Sequence, residues 1–234
     1  MAHSIGALRQ HHHHPRIPLT ERLKGAMGFL GFHVGEEPHY EVLFHEGARE
    51  IRHYRPLLLA RVTVPGDFLH AGQRAFHRVA DYLFGRNLGR RQLIQYDPSF
   101  KEKTKNRTKV PFWQEKLDGG WRMCFILPPD LQLHEAPAPF DRGIEIFPEP
   151  AHTVACLTYN GKNHPERISQ KVNSLRAWIE SHNGKAINED FRVAQYEPPF
   201  RPPFFQKSEL HILLEKKDKN RNWEIHRVKG NALI

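Results

Sequence analysis

Cysteine is scarce in this chain: 234 residues hold two, Cys124 and Cys156. Each sits inside an apolar, strand-like run, which reads as a reduced, buried thiol packing as a small hydrophobe rather than as part of a disulfide framework or a metal cluster. Long apolar runs are missing as well. Nothing approaches the ~20 residues that a membrane-spanning helix needs, and no apolar core of a secretion signal follows the N-terminus. No membrane partner is therefore expected, and the cytoplasm is the default compartment. Also missing are a nucleophile elbow, a P-loop, a dinucleotide-binding glycine pattern and a zinc signature, so no catalytic motif argues for an enzyme.

Hydrophobic residues make up 39 % of the chain, enough for a proper core in one domain or two small ones. The net charge of +9 comes largely from two basic runs, Lys101 to Lys109 and Lys216 to Lys229. Such runs are usually solvated loops and tails. The first has no interleaved aromatics on which bases would stack, so nucleic acid is not expected as a partner, and attraction of acidic ligands is the cheaper reading.

Periodicity divides the chain into three parts: an arm over 1–35, a folded domain over 36–216 and a basic tail over 217–234. The arm is His-rich and Pro-broken, with four consecutive histidines at His11 to His14 and a short amphipathic stretch from Glu21 to Phe32. Tyr40 to Pro56 then reads as two strands about a turn at Gly47, with Ile51 and His53 on one face and Arg52 and Tyr54 on the other. Leu57 to Pro65 alternates as a third strand. Asp67 is placed to cap a helix whose stripe is Phe68, Ala71, Ala75, Phe76, Val79 and Leu83, with Gly85 as its stop. On its other face His70, His77 and Asp81 read as a solvated surface rather than a metal face.

Arg86 to Gln95 reads as a return into a strand around Leu93-Ile94. Val110 to Gln114 and Trp121 to Leu127 form a hairpin across Asp118-Gly119-Gly120. Ile144 to Phe147 and Thr153 to Tyr159 follow as strands. A second helix has Pro165 in its first turn and Ile168, Val172, Leu175, Trp178 and Ile179 as its stripe. Phe191 to Tyr196 and Glu209 to Leu214 close the set. The order is a weak internal duplication of β-α-β-β type. Two such halves would join their apolar faces in a closed or nearly closed sheet, with a hydrophobic cleft at its mouth for a small ligand.

Several of these pieces resemble one family. Glu50-Ile51-Arg52-His53-Tyr54-Arg55-Pro56 resembles the opening signature of the SOUL, or haem-binding protein, family. Ala80 to Asn87 resembles that family's helix end, Met123 to Pro128 a strand end, and Tyr196 to Phe200 with Lys207-Ser208-Glu209 its closing pattern. The chain departs from the pattern at Thr108-Lys109-Val110-Pro111-Phe112, which keeps only the Pro, and at Ser208, where the family has Asn. The resemblance implies an α+β fold: a distorted eight-stranded antiparallel β-barrel flanked by two helices, similar to gyrase-inhibitor-like effector-binding folds. It also implies non-covalent binding of haem or another planar, acidic tetrapyrrole, for buffering, transfer or signalling. No C-x-x-C-H is present, so covalent attachment is excluded.

Haem needs an apolar slot, cations for its propionates and, optionally, a neutral imidazole on iron. In some family members the signature His has been proposed as the axial ligand; in many others the position is Arg. His53 is the candidate ligand here, with Arg52 and Arg55 beside it and Phe112 and Trp113 as candidate walls. Tyr196 and Glu209 come from the closing pattern, the latter as a cavity carboxylate. Alternation groups Glu209 with His211 and Leu213 and leaves its facing open, a strand end being the simpler position. Two further readings compete: an effector-binding module for a non-haem small molecule, and a protein-interaction domain using its basic tails.

Overall fold

The computed structural model describes residues 40–93, 112–196 and 207–215. Nine strands form a single antiparallel sheet: β1 (Tyr40–Glu46), β2 (Arg49–Tyr54), β3 (Leu57–Pro65), β4 (Phe112–Leu117), β5 (Gly120–Ile126), β6 (Ile144–Glu149), β7 (His152–Asn160), β8 (Arg192–Gln195) and β9 (Lys207–Leu214). Two helices pack on it, α1 (Phe68–Leu83) and α2 (Pro165–Ser181). The arm over 1–35, the basic loop, the Pro-rich segment after Tyr196 and the basic tail lie outside the described residues.

The strand order β1-β2-β7-β9-β8-β4-β5-β3-β6 explains the duplication. One half is β2-β3-α1-β4-β5 and the other β6-β7-α2-β8-β9. Each half exchanges its first strand: β2 pairs with β7 of the second half, and β6 pairs with β3 of the first. The halves join where β4 meets β8. Eight strands thus belong to the repeat, and the ninth, β1, is an addition at the edge beside β2. The sheet curls into a half-barrel with β1 and β6 at its edges, where the sequence led to an eight-stranded barrel.

Local chemistry builds the elements much as their patterns predict. The Asp67 carboxylate accepts from the backbone N–H groups of Leu69 and His70 and so caps α1. Phe68, Ala71, Ala75, Phe76, Val79 and Leu83 are buried along its inner stripe, and Gly85 follows at φ +98°, the left-handed conformation that suits glycine. In α2, the five apolar residues of the stripe are its buried ones. Gly47 turns the chain between β1 and β2 at φ +60°. Leu93 lies in a bend, where the pattern had placed a strand, and Ile94 falls outside the described residues.

The sheet buries both of its faces. On the helix side Ile51, Val62, Phe125, Ala155, Leu210 and Ile212 pack with α1 and α2 into the larger core. On the concave side Tyr54, Leu59, Trp113, Cys124, Ile126 and Val154 form a second cluster. Both cysteines are free and buried. At the hairpin, a Cβ on Gly120 would stand 2.6 Å from the backbone carbonyl oxygen of Val64, which cannot yield. Gly120→Ala is therefore expected to cost about 1–3 kcal/mol, measured by denaturant unfolding. Unchanged stability would contradict this packing.

Candidate functional site

The concave face carries a density of charge unusual for an interior. Arg52 is on β2 and Glu209 on β9, and both are buried. The Arg52 guanidinium donates from Nη1 to Glu209 Oε2 at 2.8 Å and from Nη2 to Oε1 at 3.1 Å, and its Nε donates to Glu50 at 2.6 Å. Glu209 accepts three more bonds: from the Tyr196 hydroxyl at 2.7 Å, from Thr158 at 3.3 Å and from His211 Nε2 at 3.2 Å. Burial opposes ionisation of Glu209, but the His211 and Arg52 donors outweigh it and hold the carboxyl well below the usual range. Burial likewise works against the Arg52 charge, and the bonds to Glu209 more than restore it.

A second group lies on the same face. Arg192 on β8 bonds Glu115 at 2.6 Å from Nε and Glu149 at 2.7 Å from Nη2, and its guanidinium lies 5.0 Å from the centre of the Trp113 ring. Tyr54 packs between the groups, stacked on His152 at 5.3 Å and edge-on to Trp113 at 5.9 Å. The partners fix the tautomers of two histidines. His211 donates from Nε2 to a carboxylate, and His152 donates from Nδ1 to the Pro150 carbonyl at 2.8 Å. Their other ring nitrogens are buried without a hydrogen-bond partner among the described residues, as are Trp113 Nε1 and Arg192 Nη1.

Burial holds both His211 and His152 below the ordinary imidazole value of 6.5, so each stays neutral in the fold. The unfolded chain protonates them as pH drops through 6.5 while the folded chain does not, so the unfolded state binds more protons and stability falls on acidification. Glu209 adds its own loss below its ordinary 4.5. The denaturant midpoint is expected to fall steadily from about pH 7 to about pH 5, with a shallower slope in His211→Gln. A flat profile would contradict the neutral, buried state of these rings.

The candidate residues are divided between separate environments. Arg52, Trp113, Tyr196 and Glu209 meet on the concave face; alternation left the facing of Glu209 open, and the fold buries it instead of leaving it at a strand end. Phe112 and Trp113 are consecutive on β4 and point to opposite faces. Phe112 stacks on Phe125 at 5.4 Å and meets Phe76 of α1 at 6.1 Å, so the pair cannot wall one slot. Arg55 is exposed at the turn between β2 and β3. His53 is half-buried on the side of Ile51, opposite the charged interior, with Nδ1 3.0 Å from the hydroxyl of Thr153, its register partner on β7. Among the described residues its Nε2 takes no hydrogen bond.

Sequence reasoning missed Glu50, His211, Thr158 and the whole Arg192–Glu115–Glu149 group. One signal was available: Glu209 and His211 sit in a strand with apolar residues at both parities, and a charge in such a strand requires a partner.

A curled antiparallel half-barrel with two helices on its outer side defines an α+β protein. The description "SOUL heme-binding protein" matches residues 35–213, and the chain belongs to that family. No curated protein matches the chain significantly. Among solved structures, the EcmrR C-terminal domain aligns with TM-score 0.50 and 12 % identity over 76 % of this chain and 99 % of that one. An uncharacterized conserved protein from Listeria innocua aligns with TM-score 0.49 and 10 % identity, covering 71 % of this chain and 92 % of that chain. A hydrolase from the same organism gives TM-score 0.47 and 11 % identity, covering 71 % and 91 %. Likeness at this level of identity concerns the fold alone. No helix among the described residues is long and apolar enough to cross a membrane.

Proposed function

We propose that this protein binds haem, or a closely related planar acidic tetrapyrrole, reversibly and without a covalent bond, as a buffer or carrier. Membership of the SOUL family supports a haem ligand in general. The observation that carries the reading on this chain is the state of His53. Its Nδ1 is anchored on the Thr153 hydroxyl, and among the described residues its Nε2 takes no hydrogen bond. An imidazole oriented through one nitrogen and free at the other is what an axial iron ligand requires. Arg55, exposed two residues further on, supplies a cation for a propionate. Arg52 does not, because it is buried on the opposite face of β2 and each of its three nitrogens already donates to Glu50 or Glu209.

The test is a hemin titration of the full chain, with His11, His12, His13 and His14 each replaced by serine so that the run does not bind iron by itself. Expected is a Soret band that saturates at one hemin per chain and persists at moderate salt, since burial of the ring rather than charge supplies most of the affinity. A band that never saturates would overturn the reading.

A further inference from the structure

The surroundings of Arg52 are those of a bound cation. Its guanidinium lies between two carboxylates, Glu209 and Glu50, and its Cζ stands 4.6 Å from the centre of the Tyr40 ring, with 5 % of the side chain exposed. Carboxylates below and an aromatic face above are the two devices by which proteins recognise organic cations. On the other side of the pair, both oxygens of Glu209 are committed, to Arg52, Tyr196, His211 and Thr158. Nothing is left with which to meet a cation from solution.

We infer that the concave face is a cation site occupied from within, with the Arg52 side chain as its resident ligand, and that Arg52 is the residue that closes the half-barrel to organic cations. The guanidinium supplies charge and a fork of donors that fits the carboxylate bidentately, so a free guanidinium compound of similar shape is the ligand that the emptied site would take. The inference is independent of tetrapyrrole binding, which is proposed for the opposite side of β2. It has a consequence for specificity: the native interior discriminates against cationic small molecules, and a cationic effector is not the ligand of this chain.

The experiment compares the full-length wild type with Arg52→Ala, Arg52→Lys and the Arg52→Ala/Glu209→Gln pair in thermal unfolding and calorimetric titration, with methylguanidinium as the probe. Tetramethylammonium chloride at equal concentration controls for salt. Arg52→Ala should melt lower and regain about half or more of the loss in a saturable manner with methylguanidinium, while tetramethylammonium has no such effect. The wild type and Arg52→Lys should show no saturable response, and the double variant should lose the recovery because the carboxylate is gone. Should Arg52→Ala not accumulate as folded protein, its refolding yield with and without the probe replaces the melting curve. Binding of the probe by the wild type as tightly as by Arg52→Ala would overturn the inference, as would a variant whose stability or refolding yield is indifferent to the probe.

Discussion

Glu209→Gln is expected to lower stability by about 3–5 kcal/mol, a loss of about 6–20 °C in melting temperature for a domain of this size. The substitution barely changes volume, so the effect is electrostatic. The amide turns one acceptor into a donor and directs it at N–H groups of Arg52 or at the Tyr196 hydroxyl, which lie 2.7–3.1 Å from the carboxylate oxygens. Arg52, 5 % exposed, is left with a charge that neither water nor Glu209 balances. Glu50 remains as a partner, but its side chain is 24 % exposed and screened on one side. Removing both charges should restore most of the loss: Arg52→Met/Glu209→Gln buries a methionine stem beside an amide that Tyr196 and Thr158 can still satisfy. Equilibrium denaturation of the four proteins in the cycle isolates the pair. A double variant no more stable than Glu209→Gln would mean that the carboxylate contributes through something other than Arg52.

Trp113→Ala is expected to cost a similar amount, about 3–5 kcal/mol, through lost contacts and the cavity that remains. Trp113 is fully buried, and Tyr54, His152, His211 and the Arg192 guanidinium all pack on its ring. It also separates the two buried ion-pair groups, so its loss leaves both exposed to a new void. Trp113→Phe should be much milder, at about 1.5 kcal/mol or less, because the indole Nε1 has no hydrogen bond to lose among the described residues. A phenylalanine variant as damaged as the alanine variant would show that the indole N–H is bonded after all. The same burial makes Trp113 a structural residue of the interior, not a wall open to a ligand from solution.

What could be read in the sequence divides along the range of the interactions. The helices were legible to within a residue at their starts because caps and stripes are local: Asp67 and the Phe68 stripe, Pro165 and the Ile168 stripe. Most strand positions were legible for the same reason, the expected strand at Leu93 excepted, and the parity of β2 grouped Ile51 with His53 against Arg52 and Tyr54. The order of strands beyond the hairpins, and the exchange of β2 and β6 between halves, depends on contacts that no local pattern encodes. β1 was read as a strand from its own alternation; the count of eight came from the family resemblance, and β1 is the strand that lies outside the repeat. At the site, Arg52 and Glu209 lie 157 positions apart, and alternation gives each a face only relative to its own strand. Only the closure of β7 onto β9 brings their faces together. Proximity in the sequence signature was misleading for the same reason: Arg52 and His53 are neighbours that point to opposite sides of one sheet.

The tetrapyrrole is proposed to meet the outer side of β2 at His53, while the charged interior is closed upon itself. One comparison addresses it: hemin titrations, followed in the Soret region, of the chain with His11 to His14 replaced by serine and, in that same background, of His53→Ala and the interior-neutralised pair Arg52→Met/Glu209→Gln. The account predicts that the neutralised pair binds hemin with the wild-type spectrum and affinity, whereas His53→Ala shifts the band and binds about tenfold or more weakly, as expected when an axial ligand is lost. A wild-type spectrum and affinity in His53→Ala, together with loss of binding in the neutralised pair, would place the ligand in the interior and contradict the account.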